Sequence, residues 1–176
     1  MRLLNLMKII NLYGGPGTGK SRTAALLFGE MKFKGYNVEL ITEFAKEPTW
    51  DENHRLLSDQ LYITASQHRR QFAVKDKVEW AVTDSPLLLG LAYAEYGYLN
   101  HHYTDLVWDL YEEYTNIDVP LTRINKYNPI GRNQTEAEAI EKDKLIIDIL
   151  GTLDSYHTVK GTKKASKKIL KIIEGK

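Results

Sequence analysis

The sequence predicts an α/β fold in three layers, a five-stranded parallel sheet with helices on both faces. Three observations predict it. Five short apolar runs, at residues 8–13, 37–42, 79–83, 117–122 and 155–159, have the length and composition of buried strands. Segments with apolar residues at helical spacing separate them. Strands that alternate with helices lie parallel, because each helix returns the chain to the starting end of the sheet.

The first run, Lys8-Ile9-Ile10-Asn11-Leu12-Tyr13, leads straight into Gly14-Gly15-Pro16-Gly17-Thr18-Gly19-Lys20-Ser21. Residues 21–34 follow as a helix, with Ala24, Leu27, Phe28 and Met31 on one face. Gly35 stops that helix, and the second strand, 37–42, ends at Glu43. Residues 56–74 read as one helix with Leu57, Leu61, Ala65 and Phe72 on its apolar side and Gln60, Gln67, Arg70 and Gln71 on its polar side. The third strand, 79–83, stops at Asp84-Ser85-Pro86. Helices at 87–96 and 103–114 are joined by a loop at 97–102. The fourth strand, 117–122, contains Pro120, which removes a ladder donor and favours an edge or a bulge. A polar loop with Arg123, Lys126, Tyr127, Pro129, Gly131 and Arg132 then opens onto a helix reaching to about 153, where Thr135 and Glu138 have capping-box spacing. The fifth strand, 155–159, precedes a lysine-rich closing helix.

With 176 residues the chain is expected to form one domain, 1–176, whose activity fits on one sheet and its loops. A net charge of +1 does not by itself call for a nucleic-acid or anionic-membrane partner. The charge is uneven, with seven lysines and only Glu174 as an acid between Lys160 and Lys176, and an acid-rich stretch from Glu136 to Asp143. Ala165, Ile169, Ile172 and Ile173 interleave with those lysines, which suits the solvated face of an amphipathic helix. Without cysteine there are no disulfides, thiolate metal sites or cysteine nucleophile, and a cytoplasmic location fits. Asn5, Lys8 and Asn11 interrupt the first apolar run, so it reads as a core strand rather than a signal peptide. No stretch reaches the length of a membrane span.

Residues 14–21 satisfy G-x-x-x-x-G-K-[ST] at each fixed position, between a strand and a helix. Glycines let backbone N–H groups turn inward around phosphate oxygens, which a Cβ would obstruct. Gly14, Gly15, Pro16, Gly17, Thr18, Gly19, Lys20, Ser21 and Arg22 are therefore the expected ATP-binding residues, with Lys20 on the β- and γ-phosphates and Ser21 on Mg²⁺. In a parallel sheet the ligand lies beyond the carboxyl ends of the strands, which draws Glu43, Asp84 and Arg123 toward this loop. Asp84 suits the acidic residue of the Mg²⁺ shell, or an N-cap for the next helix. Glu43 is either an acceptor of the attacking hydroxyl's proton or part of a solvated ion cluster with Lys46 and Glu47. Arg123 and Arg132 flank a loop with glycine and proline that suits a lid at about 123–135, closing on the triphosphate and neutralising charge on the transferring group. Arg55, Gln60, Gln67, Arg70 and Gln71 are weaker candidates for an acceptor pocket, and Trp50, Tyr62, Tyr93 and Tyr96 for stacking on a substrate. The five histidines show no metal-ligand spacing.

Together the phosphate loop, Glu43 in Thr42-Glu43-Phe44-Ala45-Lys46-Glu47, Asp84-Ser85-Pro86 and the Arg123 to Arg132 lid resemble the small P-loop kinases of nucleosides and nucleotides. Within that group the chain is similar to NadR-type ribosylnicotinamide kinase-like domains and to bacteriophage P-loop kinases, including those that phosphorylate hydroxymethylated bases such as hydroxymethyluracil in DNA. The resemblance implies the P-loop NTPase fold of nucleoside and nucleotide kinases, ATP and Mg²⁺ as cofactors, and an acceptor contact for Glu43 with a metal or proton-transfer role for Asp84. It differs at two positions. Ser85 follows Asp84 where thymidylate and deoxynucleoside kinases often carry arginine, and Lys46 stands where related kinases have arginine. The resulting expectation is an ATP- and Mg²⁺-dependent kinase acting on a nucleoside-like or nucleotide acceptor. Two alternatives stand beside it: a kinase acting on polynucleotide DNA gripped by the terminal lysines, and a nucleotide-regulated ATPase switch acting through a partner. Oligomeric ATPase machinery fits less well, since 176 residues leave little room for a helical lid subdomain.

Overall fold

The computed structural model describes residues 6–95, 97–124, 128 and 135–175. Its elements are β1 (Lys8–Tyr13), α1 (Lys20–Phe33), β2 (Val38–Ile41), α2 (Lys46–Trp50), α3 (His54–Leu57), α4 (Gln60–Phe72), β3 (Trp80–Thr83), α5 (Leu89–Tyr93), α6 (Asn100–Glu112), β4 (Thr115–Thr122), α7 (Glu136–Leu150), β5 (Val159–Lys160) and α8 (Ala165–Ile173). The five strands form one parallel sheet in the order β2-β3-β1-β4-β5, as expected.

Alternation along β1 divides the core into two layers. Ile10 and Leu12 turn to one side, where they meet Ala24, Leu27 and Met31 of α1 and Ala165, Ile169 and Leu170 of α8. Tyr13 turns to the other side and packs with Leu88, Tyr103, Val107, Tyr111, Ile146 and Leu150, drawn from the turn before α5, from α6 and from α7. Ile9 joins Met7, Ile41, Ala81 and Tyr114 on that second side. The exposed lysines 167, 168 and 171 occupy the outer face of α8, as an amphipathic helix requires, and the exposed lysines 163 and 164 lie in the turn before it.

Asn11, which interrupts the apolar run of β1, is buried with a polar network. Its Nδ2 donates to Asn116 Oδ1 at 2.9 Å and to Asp118 Oδ1 at 3.1 Å. Tyr13 and Tyr111 donate their hydroxyls to Asp118 at 2.8 Å and 2.6 Å. Burial pushes the Asp118 carboxyl up, and the hydrogen bonds from Tyr111, Tyr13 and Asn11 oppose that rise. Burial likewise raises both tyrosines, and the neighbouring carboxylate adds to it. Three donors on one carboxylate make its burial tolerable, because a buried polar group is costly chiefly when it lacks partners.

Three expectations about elements are corrected. Pro120 does not place β4 at an edge: β4 lies between β1 and β5 and starts earlier, at Thr115. The carbonyls of Asp118 and Thr122 accept from His157 and Gly161 N–H, so alternate residues of β4, Pro120 among them, turn toward β5. The pairing with β5 covers only Leu121 and Thr122, so the missing donor of Pro120 falls where that ladder has not begun. The fifth strand is Val159–Lys160 rather than 155–159. The helix expected over 56–74 is two helices, because Asp59 leaves the helical conformation and its side chain caps α4 by accepting from Tyr62 N–H at 3.0 Å.

Ile169 anchors α8 against α1 and the sheet and is completely buried. Ile169→Ala is expected to cost about 2–5 kcal/mol, read as a lower midpoint in urea denaturation with an unchanged slope.

Candidate functional site

The strand register sets the site. Ile41 pairs with Thr83, which pairs with Asn11, so β2, β3 and β1 end side by side and release Glu43, Asp84 and Gly14 at one edge of the sheet. Pro120 pairs with Tyr13 on the other side, which brings Arg123 to the same edge. The strand order makes this the place where connections from β1 diverge, the usual ligand crevice of an open parallel sheet.

The loop of residues 14–19 turns through left-handed backbone at Gly17 and Gly19, with φ of 89° and 95°, a conformation open to glycine and disfavoured for side-chain-bearing residues. Gly19 is the residue before α1, so the first N–H groups of a fourteen-residue helix face the loop. Lys20 Nζ donates to Gly14 O at 2.6 Å and to Gly15 O at 3.3 Å. Thr18 is completely buried and its hydroxyl donates to Gly15 O at 3.1 Å. Ser21 is exposed at the start of α1.

Three other elements grip this loop. From α7, Asp143 Oδ1 accepts the Gly15 N–H at 2.5 Å and Oδ2 accepts Arg123 Nε at 2.8 Å. Arg123 also donates Nη1 to Pro16 O at 2.7 Å and Nη2 to Ala139 O at 3.3 Å. Arg22 donates to Gly161 O at 3.0 Å, just past β5. Gly15 and Gly161 are required by space: a Cβ at Gly15 would lie 2.5 Å from Ala139 O, and one at Gly161 would lie 2.3 Å from Thr18 O. Asp143 was not singled out from the sequence; its only signal there is the acid-rich stretch of α7.

Glu43, Asp84 and Lys20 lie within electrostatic reach of one another. Burial lowers the Lys20 pKa, while Glu43, Asp84 and Asp143 hold it up and Arg123 lowers it further. Burial holds Glu43 above the usual carboxylate range; Lys20 opposes that shift and Asp84 adds to it. Glu43 is therefore partly buried in the site, not in a solvated cluster with Glu47; Glu47 instead pairs with Arg70 at 2.9 Å. Asp84 is buried, and its Oδ1 has no hydrogen-bond partner among the described residues. It does not cap the following helix, since α5 starts only at Leu89 with Leu88 before it and no side-chain cap. A buried carboxylate oxygen without a partner fits Mg²⁺, which takes few protein ligands and completes its shell with phosphate and water. No group of three or more His, Cys, Asp or Glu residues suited to a metal occurs among the described residues.

Arg132 lies outside the described residues, as do most of the expected lid and Tyr96. The glutamines of α4 are not a solvated face: Gln67 and Gln71 are buried, whereas Leu61 and Phe72 are 41% and 53% exposed. Gln67 and Arg70 reach the segment that follows β2, while Arg55 is exposed and Gln60 donates to Leu57 O at 3.3 Å. Trp50 and Tyr62 are exposed, and Tyr62 meets Phe44 edge to face at 5.7 Å between centroids. The Lys142 ammonium lies 5.1 Å from the centre of the Tyr93 ring.

Residues 9–162 match the sequence family described as AAA domain. The chain belongs to the AAA domain family. No curated protein matches the sequence of this AAA domain. Its fold is shared with solved structures at low identity. A NadR protein in complex with NAD and AMP-PNP superposes with a TM-score of 0.67 at 13% identity, covering 97% of this chain and 49% of that one. This AAA domain thus spans about half the length of that protein. Deoxyadenosine kinase from M. mycoides, with the products dCMP and dCDP, superposes with a TM-score of 0.61 at 14% identity over 96% of this chain and 100% of that one. The five-stranded parallel sheet with its helices is therefore a P-loop nucleoside kinase fold. No described helix of this AAA domain is long and apolar enough to cross a membrane.

Two outcomes are expected. Gly15→Ala should weaken ATP binding at least about tenfold, measured by titration calorimetry, because its methyl group forces apart the loop and α7. Glu43→Gln should raise the melting temperature at neutral pH. A carboxyl with a raised folded-state pKa binds its proton more tightly in the folded chain, so stability falls as pH rises through the raised value. The gain from Glu43→Gln should therefore shrink as the pH is lowered below the ordinary carboxylate range.

Proposed function

We propose that this chain is an ATP- and Mg²⁺-dependent kinase that transfers the γ-phosphoryl group to a hydroxyl or phosphate of a nucleoside or nucleotide. The observation that carries this reading is the convergence of two carboxylates, Glu43 and Asp84, on Lys20 at the mouth of the phosphate loop. A carboxylate besides the one suited to Mg²⁺ is what a kinase needs to orient an acceptor hydroxyl. The kinase fold shared with deoxyadenosine kinase supports the same reading.

In the proposed mechanism the N–H groups of Gly17, Gly19, Lys20 and Ser21, with the Lys20 ammonium, hold the triphosphate. Ser21 and Asp84 would hold Mg²⁺, which neutralises phosphate charge when bound. Glu43 orients the acceptor hydroxyl in line and takes its proton as the new P–O bond forms. The bond from the γ-phosphorus to the bridging oxygen breaks, and ADP leaves. Little else is asked of the protein, because phosphoryl transfer is governed mainly by positioning and charge. Arg123 borders the loop from the far side and, with Arg132 in a lid at about 123–135, would stabilise charge on the moving group. The reading treats 1–176 as one kinase domain, and its lack of cysteine suits a reducing cytoplasm.

The test is transfer of label from γ-labelled ATP, with Mg²⁺, to three acceptor pools: nucleosides including ribosylnicotinamide, nucleoside monophosphates, and DNA with ordinary or hydroxymethylated bases. Label is expected in a nucleoside or nucleotide pool and should be lost in Lys20→Ala while the fold, followed by circular dichroism, stays intact. Label in DNA, declining steeply with salt, would move the acceptor into a polynucleotide. Free phosphate alone, unchanged by every pool, would replace the kinase by a nucleotide-regulated ATPase switch.

A further inference from the structure

Glu43 leaves the sheet at the end of β2, where no strand continues to fix its backbone. The constraint comes from α4. Gln67, 4% exposed, accepts the Phe44 N–H on Oε1 at 2.9 Å and directs Nε2 to Thr42 O at 3.4 Å. One side-chain amide thus engages the carbonyl before Glu43 and the N–H after it. A neighbouring parallel strand would make the same pair of bonds to a residue between them. Arg70, one turn along, reinforces the grip by donating Nη1 to Thr42 O at 3.3 Å and to Thr42 Oγ1 at 2.9 Å, and Nη2 to Glu47 at 2.9 Å. Its guanidinium also lies 5.4 Å from the centre of the Phe44 ring.

We propose that Gln67 is a positioning residue, its amide standing in for a strand and holding Glu43 at the angle from which it addresses the acceptor. The inference rests on the role proposed for Glu43. It assigns the buried glutamine of α4 to the carboxylate-bearing loop rather than to the acceptor itself. Glutamine suits the task because it offers a donor and an acceptor about one peptide apart and carries no charge beside Glu43. Asparagine is one methylene shorter and could not reach both groups from the same helix.

The test compares Gln67→Met, which keeps the volume and loses both hydrogen bonds, with Gln71→Met. Gln71 is equally buried on the next turn and makes no hydrogen bond to the Glu43 loop among the described residues. Two readouts are taken: amide hydrogen exchange at Phe44, and transfer from ATP to the nucleoside and nucleoside monophosphate pools. Gln67→Met is expected to speed exchange at Phe44 and to lower kcat for transfer about tenfold or more, with KM for ATP unchanged. Gln71→Met should leave exchange at Phe44 unchanged. If Gln67→Met does not fold, Gln67→Asn serves with the same expectation. Unchanged exchange at Phe44 in a folded Gln67 variant overturns the inference, as does an equal rise of exchange at Phe44 in Gln71→Met. Failure of the underlying reading looks different: Glu43→Gln then transfers at the wild-type rate to whichever pool is labelled. The exchange result at Phe44 would in that case still decide whether Gln67 places the loop.

Discussion

The phosphate loop cannot hold its shape alone, and the rest of the structure is arranged to hold it. Six residues of mostly glycine lose much conformational entropy on ordering and offer no side chains to pack. Their order must come from outside. Asp143 and Ala139 close on Gly15 from α7, Arg123 ties the end of β4 to Pro16, and Gly161 seats directly under Thr18 beyond β5. These contacts engage the backbone of Gly15, Pro16 and Thr18 and leave the start of α1 to the loop itself.

The surroundings of Glu43 show a related compromise. Burial resists the charge of its carboxylate, and the neighbouring Lys20 and Lys46 oppose that effect. The cost is local. It is offset by an apolar core in two layers, by the hydrogen bonds that satisfy Asp118 under Tyr13, and by the amide of Gln67, which substitutes for sheet that β2 lacks. The frame is thus stable enough to hold one carboxylate where its charge is resisted.

Much of this was legible in the sequence where it depended on neighbours along the chain. The phosphate loop, the strands that end at Glu43 and Asp84, and the capping box of Thr135 and Glu138 are local patterns, and each lies where the residues predict. The break into two helices at Asp59 was missed, although aspartate is a residue type that caps helices. What could not be read was set by distant partners. Gln67 and Gln71 take the buried face of α4 while Leu61 and Phe72 point outward, because burial of an amide is decided by what it can bond to and not by its period. Asp143 meets Gly15 across a separation of 128 residues, which no local pattern encodes. Pro120 suggested an edge because its missing donor is harmless only in the register seen here, where β5 pairs with Leu121 and Thr122 alone.

That short strand has a consequence for how the chain comes to fold. Arg22 and Gly161, whose contact completes the floor of the loop, are 139 residues apart. During synthesis Arg22 leaves the ribosome 139 residues ahead of Gly161, and the glycine motif waits for all of them. Helical segments close their contacts quickly, whereas pairings at such separation carry a large loop-closure cost and form late. The segment that gives the molecule its chemistry is therefore among the last to take its final form, and a nascent chain halted before β5 would have its binding motif but not its binding site.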